Sequence, residues 1–328
     1  MNNHHGPIKL LTGSSHPELA LRIAQELSQL YGEEIKLVET NLETFPNGEI
    51  KARVTQNVRG ADLFFFQSLH CKGKISYSEE TEFLIDCIKD SACRVTGIFP
   101  WIGYAKQDRK TKPRESRSFK VIARRLNQCG LDRVLLFDIH NSATEGFFDL
   151  PIDRVYLMRL LIEDFQKRNL ENFAIGSPDE GSVKRASTIS DLLKLNSDIC
   201  VVTKYRDPET KKVDIRKSKV LGDVQGKTVF FFDDMIQSFS TLQIASQIVK
   251  EAGAKKIIAA AVHPDFTAGA MKKIDNSVVD EVIVIDTIPI DKKGLSSKIS
   301  ILDPAPYIAN CIKRLHADES LSPLFLNN

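Results

Sequence analysis

Two adjacent carboxylates, Asp233 and Asp234, follow the apolar run Val229-Phe230-Phe231-Phe232, and Met235-Ile236-Gln237-Ser238-Phe239-Ser240-Thr241 then leads into a helix-like segment. Charges emerging from a buried strand are costly unless a cation, sugar hydroxyls or backbone donors satisfy them. The hydroxyls of Ser238, Ser240 and Thr241 fall where a helix N-terminus can hold an anion. Carboxylates followed by an anion cradle suit a sugar phosphate. The competing reading is a strand that ends in an Asx turn before a Ser-rich helix cap.

Other polar clusters sit at inferred strand ends: Asp138-Ile139-His140, Ser177-Pro178-Asp179-Glu180-Gly181, Lys204-Tyr205-Arg206 and Tyr104-Ala105-Lys106-Gln107-Asp108-Arg109. Each has a structural alternative. His140 alone reads as a surface or structural histidine, and Asp138 alone as a strand cap. Ligands of open α/β sheets bind outside the carboxyl ends of the strands. Convergence there of carboxylates, an imidazole and cations makes the components of a Mg-nucleotide site, since Mg²⁺ needs only one or two protein oxygens. Gly222–Thr228 imitates a P-loop but is one residue short and precedes a strand, so it reads as a turn.

These residues need strands and helices to hold them. Apolar runs at 62–67, 94–100, 133–137, 173–175, 199–202, 227–232, 256–262 and 281–285 fit strands buried on both faces of parallel sheets. Amphipathic segments fall between them at about 17–30, 79–91, 116–129, 154–168, 182–194, 241–252 and 305–316, with Gly253 as a C-terminal stop. The alternation predicts an α/β fold. Two echoes, 133–138 with 227–233 and 94–100 with 256–263, predict two tandem similar lobes. The boundary is placed after residue 152: a lobe of 1–152 rejoined by the C-terminal helix 305–328, and a lobe of 153–304.

At 328 residues, the chain is long enough for about two domains. With 42% hydrophobic and 27% charged residues and a net charge of +2, it has no strong pull towards nucleic acid. No apolar stretch reaches bilayer length and no secretory signal is evident, so neither membrane nor export is expected. Six scattered cysteines without metal-ligand spacing point to reduced thiols and the cytoplasm.

Taken in order, the motifs resemble the ribose-phosphate diphosphokinase (PRPP synthetase) family from about Leu10 to Phe325. Thr12-Gly13-Ser14-Ser15-His16 is similar to its N-terminal signature. Phe45-Pro46-Asn47-Gly48-Glu49 resembles its adenine loop, which implies that Phe45 stacks the base while Asn47 and Glu49 hydrogen-bond to it. Lys106, Gln107 and Asp108 resemble the Arg-Gln-Asp motif at the ATP phosphates. The resemblance implies metal roles for His140 and Asp179, with Asp138 a further candidate. It also implies a mobile catalytic loop carrying Lys204 and Arg206, and a catalytic role for His140.

By the same resemblance, Asp233, Asp234, Gln237, Ser238, Phe239, Ser240 and Thr241 form the ribose 5-phosphate loop. Arg59, Arg114, Ser320 and Ser322 match parts of an allosteric anion site, against the plainer reading of a solvated face. The implied fold is a pair of phosphoribosyltransferase-like lobes, each a mostly parallel sheet flanked by helices. The implied reaction moves the β,γ-diphosphoryl group of Mg-ATP to the 1-hydroxyl of ribose 5-phosphate, giving PRPP and AMP for nucleotide biosynthesis. Mg²⁺ is the implied cofactor, and a dimer-based homo-oligomer, extending to a hexamer, the implied assembly.

Three departures stand out: Lys106 replaces the usual Arg, Glu180 and Ser182 make their loop bulkier and more acidic, and Phe239-Ser240 replaces a Gly-containing pair. Gln237-Ser238 matches the plant-type, phosphate-independent members. The alternative functions are a catalytically impaired homologue that binds nucleotide or an active partner, and a phosphoribosyltransferase. The last predicts one lobe with a hood, and no adenine loop.

Overall fold

The structure, a computed structural model, describes residues 5–71, 77–193, 199–207 and 213–325, with Arg206 described by its backbone only. The first lobe holds a five-stranded sheet built from β1 (Ile8–Thr12), β4 (Asp62–Phe66), β5 (Arg94–Phe99), β6 (Arg133–Phe137) and β7 (Ile152–Val155). These strands lie side by side in chain order and all neighbours run parallel. A separate antiparallel hairpin of β2 (Thr40–Thr44) and β3 (Ile50–Val54) is inserted between β1 and β4.

The second sheet has seven strands, in the order β10 (Val213–Leu221), β9 (Ile199–Arg206), β8 (Phe173–Ser177), β11 (Thr228–Met235), β12 (Lys256–His263), β13 (Glu281–Ile285) and β14 (Ile299–Leu302). Only the β9–β10 pair is antiparallel. Residues 62–66 and 228–232 are buried throughout, as strands covered on both faces must be. The polar alternation of β10, a sheet edge with a register shift between Asp214 and Lys219, explains why a search for apolar runs passes over it.

Helices α1 (Pro17–Tyr31), α2 (Tyr77–Asp86), α3 (Ser118–Gln128), α4 (Met158–Lys167), α5 (Val183–Leu192), α6 (Ser240–Glu251), α7 (Ala270–Asp275) and α8 (Ala305–His316) cover the sheets. Gly253, at φ +95°, follows α6 as expected. Helix α8 packs on α1, and one apolar core runs from α1 and α8 through Leu161 and Phe165 of α4 to Phe230 and Phe232. The boundary expected after residue 152 cuts β7, which pairs with β6; the first sheet extends to Val155.

The two sheets share one register. Ile8 lies opposite Asp62 as Phe173 lies opposite Thr228, Asp62 opposite Arg94 as Thr228 opposite Lys256, and Thr96 opposite Arg133 as Ile258 opposite Glu281. The 94–100 echo of 256–263 is therefore structural. The other echo is displaced: 133–138 matches 281–286, and 227–233 matches 61–67. Both pairs of segments carry the same apolar strand pattern, so residue type alone could not choose between them.

Candidate active site

The carboxyl ends of the two sheets face each other. Trp101 and His263, which occupy equivalent places in their lobes, have ring centroids 4.6 Å apart. Ser68 Oγ donates to the Thr287 carbonyl at 2.7 Å, and His16 meets Asp286 at 3.1 Å. His263 is buried between Thr287 Oγ1 at 3.0 Å and the Asp138 carbonyl at 3.4 Å. Burial pushes its imidazole down to about 4, so it stays neutral in the fold.

At this seam β11 delivers Asp233 and Asp234. His140 Nδ1, from the loop after β6, hydrogen-bonds to Asp234, and Arg185 of α5 pairs with both carboxylates, reaching Asp234 Oδ1 at 3.1 Å. The two aspartates do not share this support equally. Burial and the hydrogen bond with Asp234 push Asp233 up to about 7. Burial also opposes charge on Asp234, but His140, Asp233 and Arg185 together hold it well below the usual carboxylate range. A cavity of about 420 Å³ beside the pair is lined by Asp138, His140, Tyr156, Lys184, Arg185 and Asp234, among others.

The loop after the carboxylates turns at Phe239, whose backbone is left-handed at φ +62° although it is not glycine. Its side chain is 3% exposed and packs in the core with Leu242 and Ile236. Burial of the ring offsets a strained backbone that glycine would adopt freely. Ser238 Oγ and Ser240 Oγ lie 3.2 Å apart at the start of α6. Phe239 thus supports the loop from below.

Lys204 of β9 reaches the Thr241 carbonyl at 3.5 Å, which brings it to the same loop. The Arg206 side chain lies outside the described residues. Lys106, from the opposite lobe, donates to Gln237 Oε1 at 3.1 Å, while Gln237 Nε2 donates to Asp265 at 2.8 Å. Gln107 is exposed and donates its backbone N–H to Tyr104. Asp108 is buried and accepts from the Asn141 amide at 2.6 Å, so its carboxylate positions the loop carrying His140.

The metal candidates do not close into one ligand set. Asp138, at φ +41°, spends its carboxylate on the N–H groups of Leu157 and Met158 at 2.5 and 3.3 Å, at the start of α4. Burial still pushes it up to about 7, against the pull of those two donors. Asp179 caps its own turn through Ser182 N and Oγ at 3.1 and 2.8 Å. Among the described residues, no three ligand-type side chains group as a metal site.

Phe45, Asn47 and Glu49 lie at the β2–β3 turn. Phe45 is 43% exposed, Asn47 accepts from Glu49 N at 3.1 Å, and none of the three lines the cavity. Arg59 and Arg114 are exposed, and Ser320 and Ser322 bond to each other at 2.9 Å. Arg59 N donates to Asn57 Oδ1 at 3.0 Å, and Ser322 N to Ser320 Oγ at 3.1 Å. Sequence reasoning missed the roles of Arg185, His263 and Asp265. Arg185 lies on α5, His263 ends β12 and Asp265 follows it.

Facing parallel sheets, with a carboxylate pair and a hydroxyl-lined helix start at their carboxyl ends, define an α/β enzyme of the phosphoribosyltransferase-like fold class. Family models match residues 8–130 (N-terminal domain of ribose phosphate pyrophosphokinase) and 196–326 (phosphoribosyl synthetase-associated domain). A ribose-phosphate pyrophosphokinase of Shewanella oneidensis is 38% identical over 97% of this chain and 98% of its own length. One of Wolinella succinogenes is 37% identical, covering 97% and 99%. The crystal structure of phosphoribosylpyrophosphate synthetase from Mycobacterium smegmatis is similar at 32% identity and a TM-score of 0.85, covering 95% of this chain and 99% of that one. The chain belongs to the ribose-phosphate pyrophosphokinase family.

Proposed function

We propose that this protein is a ribose-phosphate diphosphokinase, which transfers the β,γ-diphosphoryl group of ATP to the 1-hydroxyl of ribose 5-phosphate and releases AMP. The observation that carries this reading is the convergence of His140, Arg185, Lys204, Asp233 and Asp234 beside the 238–241 loop, in a chain similar to such enzymes over nearly its whole length. Asp233 and Asp234 receive the ribose hydroxyls. The hydroxyls and backbone N–H groups of 238–241 receive the 5-phosphate. Lys204 and Arg206 offset the charge that grows on the transferring group, and His140 orients Asp234 while facing the triphosphate side. Alignment of the hydroxyl and neutralisation of charge supply most of the rate.

The donor chemistry at the cavity fits Mg²⁺: among the described residues, the ion-pair partners of Asp233 and Asp234 are Arg185 and His140. Asp234 and His140 would hold the ion, with water and phosphate filling its other positions. When bound, it supplies charge neutralisation on the phosphoryl oxygens. Asp138 and Asp179 serve instead through the backbone they cap.

Lys106 and Gln107 flank the triphosphate path, and Phe45, Asn47 and Glu49 receive adenine. The exposure of Phe45 and its absence from the cavity lining support an ATP site completed in an oligomer by a neighbouring subunit. Arg59, Arg114, Ser320 and Ser322 form an anion site by the same intersubunit assembly. Among the described residues, no helix is long and apolar enough to cross a membrane; the six free cysteines support a cytoplasmic location.

The test is formation of AMP and PRPP from Mg-ATP and ribose 5-phosphate. Turnover no greater than that of a Lys204→Ala control would overturn the proposal. An impaired regulatory homologue is disfavoured because Asp234, His140 and Arg185 remain assembled at a cost that an idle site has no reason to bear.

A further inference from the structure

The start of α6 carries more positive charge than the residues expected there provide. Its capping residue, Phe239, makes no side-chain cap, Ser238 Oγ accepts from Ser240 N at the long distance of 3.5 Å, and the first turn contains no acidic residue. The positive end of a helix dipole is thus left without a counter-charge. Two ammonium groups approach the same loop. Lys204 comes from β9, with Nζ 3.5 Å from the Thr241 carbonyl. Lys273 comes from the short helix α7 and donates to Ser240 Oγ at 2.7 Å.

The placement of Lys273 is fixed by the fold. Thr267 N donates to the Gln237 carbonyl at 3.2 Å, and Ala270 N to the Thr267 carbonyl at 3.1 Å, so the start of α7 is tied to the 237–241 loop. Met271 and Ile274 pack into the core that holds Phe239 and Leu242 of α6. Among the described residues, no carboxylate lies within ion-pair distance of Lys273, whereas the nearby Arg185 is spent on Asp233 and Asp234. A half-buried cation resting on a neutral hydroxyl, beside an uncompensated helix start, is poorly placed unless an anion joins it.

We propose that Lys273 is a phosphate-binding residue: its ammonium group supplies a charge-assisted hydrogen bond to the 5-phosphate of the sugar, and Ser240 holds it in position until substrate arrives. This rests on the reading of the 238–241 loop as the sugar-phosphate cradle and adds to it a cation from outside the loop. It also gives the Ser240 hydroxyl a task that glycine could not perform. The consequence is selectivity for a phosphorylated sugar over its unphosphorylated counterpart.

The experiment compares wild type, Lys273→Met and Lys273→Arg in steady-state turnover, together with calorimetric titration of ribose 5-phosphate and of ribose. Loss of a charge-assisted bond should raise KM and Kd for ribose 5-phosphate by about tenfold in Lys273→Met. The kcat and the KM for ATP should stay within about twofold, and Lys273→Arg should recover most of the loss. Binding of ribose should be weak and the same in all three proteins. If Lys273→Met does not fold, Lys273→Gln, which keeps the stem and a donor but not the charge, is read the same way.

The proposal is overturned if the neutral variant binds ribose 5-phosphate as wild type does, or if it weakens ATP and ribose 5-phosphate equally. Absence of turnover and of ribose 5-phosphate binding in the wild-type protein would instead overturn the function assigned to the site.

Discussion

The two lobes carry the same five parallel strands in the same register, yet only one places carboxylates where the second of those strands ends. In the second lobe, Phe230-Phe231-Phe232 leads to Asp233 and Asp234; in the first, Phe64-Phe65-Phe66 leads to Gln67 and Ser68. Gln67 is fully buried, accepts from Ser15 Oγ at 2.6 Å and donates to Glu80 at 2.8 Å. Ser68 donates across the seam to Thr287. Neutral side chains close one strand end with internal hydrogen bonds. Carboxylates hold the other open to cations. The scaffold determines where a site can be, and two residues per lobe determine whether it becomes one.

Charge is also managed differently away from the seam. Asp62, at the amino end of the equivalent strand in the first lobe, is fully buried but bonded to Arg94 at 2.7 Å and His316 at 2.7 Å. Burial opposes its charge, and those two partners hold it below the usual carboxylate range all the same. A complete set of partners makes that charge structural. The pair at 233–234 is less fully supplied, and the shortfall is what a ligand can fill.

The contrast can be broken most forcefully by exchanging demands between equivalent positions. Asp234→Asn should lower turnover about a hundredfold or more, the scale seen when a preorganised electrostatic contact is lost. Ser68→Ala, at the matching place, should leave turnover within about threefold, as read in the same AMP-release assay. Comparable losses in both would mean that the first lobe's strand end also takes part in the chemistry.

The next effect concerns the seam. His263 titrates near 6.5 when unfolded and at about 4 when folded, so the unfolded chain binds more protons between those values. Stability should therefore fall as pH drops from about 6.5 to about 4, by roughly 3 kcal/mol at most. Denaturant titrations of wild type and His263→Phe at pH 7 and pH 4.5 check this; the variant should show a flatter dependence. Its counterpart Trp101 has no group that titrates in this range and should add no such step.

A smaller effect separates support from contact at Phe239. Phe239→Gly relieves the left-handed backbone but empties a core position, and should cost about 2 kcal/mol of stability on balance. Thermal melting measures the cost. Retention of ribose 5-phosphate affinity within about threefold in the folded fraction would sharpen the view that the ring holds the loop from below.

Much of this was legible in the chain. Apolar runs located the buried strands because strands covered on both faces cannot alternate. The order of motifs placed Asp233, His140 and Lys204 near one edge because strand ends of parallel sheets collect there. The polar edge strand 213–221, the short helix 270–275 and the hairpin 40–54 left weaker patterns, since their side chains face water as often as core. Equivalence of the lobes was misjudged at 133–138 because strands of similar composition differ only in whom they bond to.

By itself, the sequence determined that Asp233 and Asp234 emerge from a buried strand into a Ser-rich helix start, with the residues of a sugar-phosphate site spread along the chain. Local chemistry and spacing suffice for that. Only the tertiary structure decided which cations meet those carboxylates, that Asp138 and Asp108 hold backbone and loop, that Phe239 faces the core, and that Lys273 lies on Ser240. Those choices depend on how strands pair and helices pack across more than a hundred residues, and no local pattern encodes them.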